Sequence, residues 1–343
     1  MRAWKVVYLL LAFLTSGLVG CVKDESNQNT PQGNFEALWA IIDERYCFFD
    51  FKAEEYGLDW DEVYTTYKRH ILHDISDRSL FELFCRMLTE LRDGHVNLIS
   101  PYDLGRYWAW FENYPQNFSS IIQKTYLGDD YWKIGSFKCK ILENNIGYVF
   151  YESFSNIISD ISLDEIFVKM ALCNGLILDV RDNNGGYLSN TYKLASRFTN
   201  EKRVVGYYAH KTGPGRSEFS PLETRYIEPD MSRLRWQKPV VILTNRSCFS
   251  ATNTFVNDMR VLPQVTVIGD RTGGGGGMPT SSELPNGWSV RYSSCPIYDV
   301  DTCHIEFGVN PDIKVDMLKE DIDRKIDTII ETAINFLSGS ENL

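Results

Sequence analysis

Basic residues are in the minority in this chain of 343 residues. Lys and Arg number 35 against 46 Asp and Glu, which gives a formal net charge of -11, and no local basic stripe is visible. Nucleic acid is a polyanion, so a surface with this balance of charge would repel it. Nucleic-acid binding is therefore the first class of function that the sequence excludes.

Cysteine and histidine are too scattered to indicate a metal site or a disulfide framework. The chain has 8 Cys and 5 His, and no Cys-x-x-Cys pair occurs. Zinc sites and small disulfide-linked folds both need close, regular spacings of these residues. The exception is Cys295 and Cys303, which flank a possible hairpin and could form a disulfide.

Long hydrophobic runs are also missing, since no stretch could span a bilayer of about 30 Å. The first apolar run follows Arg2 and Lys5 and gives residues 1–20 the layout of a signal peptide. It ends in Leu-Val-Gly-Cys21, which resembles the lipobox of bacterial lipoproteins, where the cysteine is acylated. The alternative is an ordinary signal peptide that happens to contain a cysteine. We expect a lipid on Cys21, a polar tether over 21–33, and a location in the bacterial cell envelope at the outer membrane.

Length and composition predict an ordinary globular protein of about two domains, at roughly 150 residues per domain. Residues 34–100 show helical spacing of apolar side chains, and we expect helices starting near Asp59 and at the capping box Ser79-Leu-Phe-Glu82. Residues 101–143 form an aromatic-rich connector. It is either simple cover for the core or a wall over a peptide groove.

Strand and helix patterns alternate over residues 144–320. Continuous apolar runs at 175–181, 239–244 and 265–269 are typical of strands buried on both faces, and helical segments separate them. This alternation predicts an α/β core with a mainly parallel sheet. A last amphipathic helix within 321–343 is expected to pack on the surface of that core.

Four segments of this sequence could carry chemistry. Ser250 stands where a buried strand turns into a helix, whose free N–H groups could stabilise an oxyanion. Gly185 and Gly186 end the strand 175–181, His95 follows a predicted helix, and Glu306 lies in a loop near the end of the core. Each segment alone also has an ordinary structural explanation. Ser250 is typical of a helix N-cap, and the two glycines are typical of a turn. A lone histidine usually packs in the protein, and a lone glutamate is usually solvated.

Together the four segments resemble the serine peptidase family that includes the C-terminal processing peptidases and the tricorn core. The resemblance lies in GLILDVRDNNGG (175–186), RSCFSATNTF (246–255), VTVIGDRTGG (265–274) and FGVNPDIKV (307–315). It implies a crotonase/ClpP-like βαβ core with a small N-terminal helical domain. It also implies a nucleophile at Ser250, oxyanion donors at Ala251 and at Gly185 or Gly186, a protein or peptide substrate, and no metal or organic cofactor.

Departures from the family pattern favour its tricorn-like branch. The Ser–Lys branch carries a lysine where this chain has Gly275, so no lysine base is available. The tricorn-like branch takes its histidine from a Leu-x-Asp-Gly-His segment, which His95 fits, and a glutamate that Glu306 fits approximately. The resemblance thus implies a triad of Ser250, His95 and Glu306. The stretch between His95 and the core is too short for a PDZ domain, so we expect none.

Two alternatives stay open at this stage. The protein could be a non-catalytic lipoprotein that binds a peptide or an apolar ligand on the same fold, since fold alone does not imply hydrolysis. If Ser250 is not the nucleophile, Ser247 is the next candidate.

We expect the glycine run 273–277 to be a mobile wall of the cleft that pairs with an extended substrate and supplies no catalytic side chain. A plain flexible linker is the alternative for that run.

Overall fold

A computed structural model describes residues 28–339. The predicted signal peptide, the lipidation site Cys21 and most of the predicted tether lie outside the described residues. The first helix already begins inside the segment assigned to the tether, because the side chain of Thr30 caps it. None of the helices in the described range is both long and apolar enough to cross a bilayer.

The N-terminal part is helical, as predicted. Its helices are Pro31–Arg45, Phe49–Tyr56, Trp60–Lys68 and Asp77–Thr89. Asp59 caps the third of them, accepting hydrogen bonds from two backbone N–H groups. The predicted start of the fourth at Ser79 is wrong, because Ser76 is the cap and accepts the Ser79 N–H. The helix therefore gains almost a full turn at its start.

Thirteen strands follow from residue 97 onward within the described range. They are β1 Asn97–Ile99, β2 Leu104–Arg106, β3 Trp132–Ile134, β4 Phe137–Leu142, β5 Ile146–Tyr151, β6 Gly175–Asp179, β7 Arg203–Tyr208, β8 Glu223–Ile227, β9 Val240–Thr244, β10 Val265–Gly269, β11 Gly277–Glu283, β12 Ser289–Tyr298 and β13 Ile313–Lys314. The later helices are Ala109–Glu112, Ser120–Leu127, Asp160–Met170, Leu188–Ala195, Ala251–Met259, Lys319–Asp323 and Thr328–Ser338.

The larger sheet has seven strands in the order β13-β10-β9-β6-β5-β4-β3. The pairs from β13 to β5 are parallel, and β4 and β3 add an antiparallel edge. The apolar runs predicted as buried strands are β6, β9 and β10, which lie in the middle of the parallel part. The predicted α/β class is confirmed.

Both faces of this sheet are covered, because side chains alternate along each strand. On β6, Leu176 and Leu178 contact the cluster formed with the helices Asp160–Met170 and Ala251–Met259. Ile177 lies on the opposite face, packed in a cluster with the helix Thr328–Ser338. Complete burial of both faces explains why these strands are apolar throughout.

The C-terminal segment differs from the single helix that we predicted over 321–343. It forms two helices, Lys319–Asp323 and Thr328–Ser338. Lys325 between them has a φ of 59°, which breaks the helical path. The fully buried Asp327 then caps the second helix by accepting the N–H groups of the next turn.

A second, antiparallel sheet pairs strands that lie far apart in the sequence, between residues 97 and 298, and was not predicted. Its order is β2-β1-β12-β7-β8, and β11 also pairs with β12. The pairing of β1 with β12 brings Asn97 opposite Arg291. The N-terminal helices pack on this sheet, so they share a core with residues close to the end of the chain.

The cysteines of the described residues are all free thiols. The suggested pairing of Cys295 with Cys303 is wrong, because Cys295 is buried inside β12 whereas Cys303 is exposed beyond its end. In the part of the chain that the structure describes, no group of three or more His, Cys, Asp or Glu side chains could hold a metal ion.

Candidate active site

Ser250 stands at a strained turn between β9 and the helix Ala251–Met259. Its φ and ψ are 58° and -120°, a conformation that a residue with a side chain rarely adopts. Its backbone N–H donates to the carbonyl of Gly274 at 2.8 Å, which holds the turn in place. The hydroxyl is therefore fixed at the N-terminal end of a helix, and it remains half-buried.

His95 and Ser250 are brought together by the fold although 155 residues separate them. The distance between His95 Nε2 and Ser250 Oγ is 2.8 Å, which is a hydrogen bond. The imidazole is almost completely buried and packs against the ring of Phe249, with 4.8 Å between ring centroids. A neutral imidazole in this position can accept the proton of the serine hydroxyl.

Asp93 fixes the turn that carries the histidine. Its Oδ1 accepts the backbone N–H of His95 at 2.7 Å, and its Oδ2 accepts the hydroxyls of Tyr46 and Ser293. Burial alone would raise the pKa of this carboxyl, but the charge of Lys52 and the contacts with His95 lower it overall. Asp93 is therefore an ionised anchor for the backbone of His95 and not a ligand of its ring.

Burial is also the main influence on the imidazole. It lowers the pKa of His95 to about 4, with Asp93 opposing and Arg291 and Arg106 adding to the decrease. The second ring nitrogen, Nδ1, has no hydrogen-bond partner among residues 28–339. The backbone of Gly277 lies close enough to favour the charged form slightly, but not in hydrogen-bond geometry. The ring is therefore neutral at physiological pH.

The glycine turn that carries two of the predicted oxyanion donors packs against the serine segment at Gly185. A Cβ placed on Gly185 would lie 2.9 Å from the backbone N of Ala251 and 3.0 Å from Ser250 Cβ, so only glycine leaves room there. The N–H of Gly185 itself donates to Asn183 Oδ1 at 3.0 Å, which removes it as an oxyanion donor. Of the two predicted glycines, Gly186 is the one that keeps an uncommitted N–H in the described structure.

Asn183 holds this glycine turn against the serine segment. Its fully buried side chain accepts the hydroxyl of Thr252 at 2.7 Å and donates to the carbonyl of Tyr151 at 3.0 Å. Its backbone carbonyl accepts the N–H of Phe249. The turn and the serine segment thus form one hydrogen-bonded unit, which preorganises any donor that they carry.

Glu306 does not contact His95, contrary to the predicted triad. Its Oε1 lies 3.1 Å from Lys52 Nζ, and its Oε2 accepts the backbone N–H of Gly276 at 2.9 Å. Burial raises the pKa of Glu306 to about 8, Asp93 adds to the rise, and Lys52 opposes it. Both carboxylate oxygens are thus engaged away from the imidazole.

Lys52 links the N-terminal helices to the site, and sequence reasoning missed it. It lies on the helix Phe49–Tyr56 with its side chain fully buried. Besides Glu306, its ammonium donates to the carbonyls of Leu91 and Arg92, at 2.6 and 3.2 Å. These two hydrogen bonds hold the segment just before His95, so Lys52 also fixes the turn that carries the histidine.

The glycine run 273–277 is a buried, hydrogen-bonded segment, so the prediction of a mobile wall that pairs with substrate is wrong. The N–H of Gly273 donates to Cys248, and that of Gly275 to the Glu306 carbonyl, at 2.8 and 2.9 Å. The carbonyl of Gly274 accepts Ser250. These backbone groups are used inside the protein and are not free for an added strand.

Close packing explains why glycine is required in this run. A Cβ on Gly275 would lie 2.6 Å from the ring of Phe249, whereas a Cβ on Gly287 would meet nothing within 4 Å. The two φ values are similar, +77° and +82°, so both positions share the backbone strain of a side chain. We expect Gly275→Ala to lower the free energy of unfolding by about 1–3 kcal/mol more than Gly287→Ala. Urea unfolding followed by circular dichroism measures both losses, and equal losses would contradict this account.

The aromatic connector covers the core and also packs beside the serine segment, while its role as a wall over a peptide groove stays a prediction. Phe118 stacks on Phe150 of β5 with the rings 3° from parallel, which is cover for the core. Trp110 stacks on Phe249, the residue before the serine, at 4.3 Å between centroids. The second contact makes the connector part of the site.

Comparison with known proteins assigns the chain to a family. Residues 145–315 match the model of peptidase family S41, and residues 28–89 match that of the tricorn protease C1 domain. A carboxy-terminal-processing protease of Bartonella bacilliformis is 24% identical over 193 residues, which are 54% of this chain and 42% of that protein. The chain thus spans less than half the length of this curated relative.

Two solved structures resemble this chain. A protein of Parabacteroides merdae regarded as a peptidase is 51% identical and has a TM-score of 0.87, with 90% of this chain and 97% of that one covered. Mature CPAF complexed with lactacystin has a TM-score of 0.70 at 11% identity, with 91% and 99% covered, and shows likeness of fold alone. The chain belongs to peptidase family S41.

Proposed function

We propose that this protein is a serine endopeptidase that hydrolyses peptide bonds through an acyl-enzyme. The observation that carries the proposal is the 2.8 Å hydrogen bond between His95 Nε2 and Ser250 Oγ. It joins a neutral imidazole to a hydroxyl at a strained strand-to-helix turn. Membership of family S41 and the curated relative named a protease support the same function.

The reaction follows from the positions of these groups. Ser250 Oγ attacks the scissile carbonyl carbon while its proton passes to His95 Nε2. The N–H groups of Ala251 and Gly186 stabilise the oxyanion, and loss of one such donor typically costs about 100- to 1000-fold in rate. His95 then gives the proton to the leaving amine. A water molecule, activated by the same imidazole, releases the acyl group and restores the serine.

Covalent labelling by a fluorophosphonate probe that depends on Ser250 tests this function, since such a probe phosphonylates an activated serine. We expect labelling of the wild-type protein and none of Ser250→Ala. A non-catalytic lipoprotein that binds peptides or apolar ligands would show no serine-dependent labelling at any pH.

We further propose that a lipid on Cys21 anchors the mature protein at the outer membrane. The support is the lipobox-like sequence before Cys21 and the polar segment that follows it. Two acyl chains hold a protein on a membrane far more firmly than one. We expect metabolic incorporation of an alkyne-tagged palmitate that is lost in Cys21→Ser. Incorporation by the variant would show that Cys21 is not the acceptor.

A further inference from the structure

A cavity of about 280 Å³ lies next to the candidate active site. Three of the segments that form the site also contribute to its lining. Arg92 lies three residues before His95, Arg246 four before Ser250, and Gly273 belongs to the glycine run. The wall of this cavity includes Trp110, which stacks on the residue before the serine. The cavity and the serine therefore share the same rigid frame.

Three guanidinium groups line the cavity, in a chain whose net charge is -11. Neither Arg92 nor Arg271 has a carboxylate within 4.0 Å among residues 28–339, whereas Arg246 lies 3.4 Å from Asp270. The only acidic lining residue is Glu55, which is exposed. Arg246 and Arg271 are half-buried whereas Arg92 is exposed, so the repulsion between the first two is the least screened, and an anion that joins them would be stabilised.

Unused hydrogen-bond donors lie beside these charges. The Nε of Arg271 and the Nε1 of Trp110 are buried and have no hydrogen-bond partner in the described structure, and the Nε of Arg246 has only the ion-pair contact with Asp270 at 3.4 Å. Arg271 donates from Nη2 only weakly, to the Gly308 carbonyl at 3.4 Å. Burial and the charge of Arg246 lower the pKa of Arg271, and Glu55 acts in the opposite sense. Buried donors without acceptors are uncommon in folded proteins, so an acceptor that reaches these atoms would be stabilised there.

Aromatic rings hold two of the three guanidinium groups in position. Arg246 lies over the ring of Tyr114 at 3.7 Å, and Arg92 lies over that of Tyr56 at 4.2 Å. Stacking on a ring fixes the plane of a guanidinium while leaving its edge free to donate. A planar edge with several N–H groups matches a carboxylate in size and geometry.

We propose that this cavity is a substrate subsite that binds a carboxylate of the peptide close to the scissile bond, with Arg271 as its principal ligand. The inference rests on the proposed peptidase function, because the anionic groups of a peptide are carboxylates. The carboxylate is either an Asp or Glu side chain or the free C-terminus. It accepts hydrogen bonds from the guanidinium groups and relieves their mutual repulsion. The site then favours acidic substrates although the protein itself is acidic.

Peptide capture by immobilised full-length Ser250→Ala protein tests the subsite without requiring hydrolysis. The probe is a proteome-derived peptide library, read by mass spectrometry, in three forms: untreated, C-terminally amidated, and amidated at all carboxyl groups. We expect the fully amidated library to be captured at least about tenfold less than the untreated one. The C-terminally amidated form separates the two sources, since its capture persists only if side chains bind.

Two further variants in the Ser250→Ala background assign the effect to the cavity. Arg271→Gln should lose about tenfold or more of the capture of carboxylate peptides, while the matched surface change Arg260→Gln should not. Glu55→Gln removes the competing carboxylate and should increase capture, which keeps the test valid if Arg271→Gln fails to fold. Equal recovery from the untreated and fully amidated libraries, including no recovery from either, overturns the subsite. If Ser250→Ala protein captures carboxylate peptides but the wild-type protein hydrolyses none of them, the peptidase function is rejected and the subsite is still supported.

Discussion

Replacing Ser250 with alanine is expected to lower kcat/KM for peptide hydrolysis by roughly 10⁴- to 10⁶-fold, because the variant has no hydroxyl to form the acyl-enzyme. The oxyanion donors and the binding surface remain, so a small residual rate over water is expected. Hydrolysis of a fluorogenic peptide selected from a cleaved library measures the change.

The matched control for this variant is Ser247→Ala. Ser247 lies three residues earlier in the same turn, but its hydroxyl interacts with Asp182 rather than with His95. We expect this control to keep activity within about twofold, since the hydroxyl that it removes does not contact His95 and takes no part in the proposed reaction. Full activity of Ser250→Ala together with loss of activity in Ser247→Ala would show that Ser247, and not Ser250, is the nucleophile. Thermal unfolding of both variants separates loss of chemistry from loss of fold.

The parts of the site predicted from sequence are those that local backbone geometry encodes. Ser250, Gly185 and Gly186 each stand where a continuous apolar strand ends, so their position at one sheet edge follows from the parallel topology. Their neighbours Ala251 and Asn183 belong to the same short segments. Local sequence is enough to find them because only a few residues define each turn.

The partners of Glu306 could not be predicted in this way. Lys52 lies in a helix with the sequence FDFKAEEY, where a lysine is usually solvated, and 254 residues separate it from Glu306. Their contact depends on how the N-terminal helices dock onto the core. The local sequence around Lys52 or Glu306 does not predict how these parts of the chain pack together. The predicted contact of Glu306 with His95 therefore rested on resemblance alone.

The second sheet was missed for a similar reason. β1 has three residues, and its partner β12 lies almost two hundred positions later in the chain. β11 reads GMPTSSE, which lacks the apolar alternation of a half-buried strand and contains a proline. Short strands with distant partners carry little local signal, whereas the buried parallel strands β6, β9 and β10 could be read directly from composition.

Replacing His95 with glutamine is expected to lower kcat/KM by roughly 10²- to 10⁴-fold, because proton transfer from the serine then lacks a base. The turn should survive, since Asp93 accepts the backbone N–H of residue 95 and not its ring. Activity of His95→Gln close to that of wild type would remove the imidazole from the mechanism. A further loss on adding His95→Gln to Ser250→Ala would show that the two side chains act independently instead of as one unit.

The pH dependence of the wild-type enzyme gives a sharper signature of the same imidazole. Burial lowers the pKa of His95 to about 4, so the acid limb of kcat/KM should lie near that pH and not near 6.5. Arg291 contributes to this decrease, so Arg291→Met should move the acid limb to higher pH, while the surface variant Arg260→Gln should leave it in place. An acid limb that does not move in Arg291→Met would assign it to another group.

Folding stability must be followed over the same pH range, because the buried imidazole also couples protonation to unfolding. The folded-state pKa of His95 lies below that of an unfolded histidine, so the unfolded chain binds the proton first as pH falls below about 6.5. The stability associated with the neutral ring is thus complete above that pH and is lost progressively down to about 4. Activity that returns in full when samples are brought back to pH 7 excludes irreversible denaturation as the cause of the acid limb. Circular dichroism at each pH must show that the protein stays folded, because an acid limb that coincides with unfolding would reflect stability rather than catalysis.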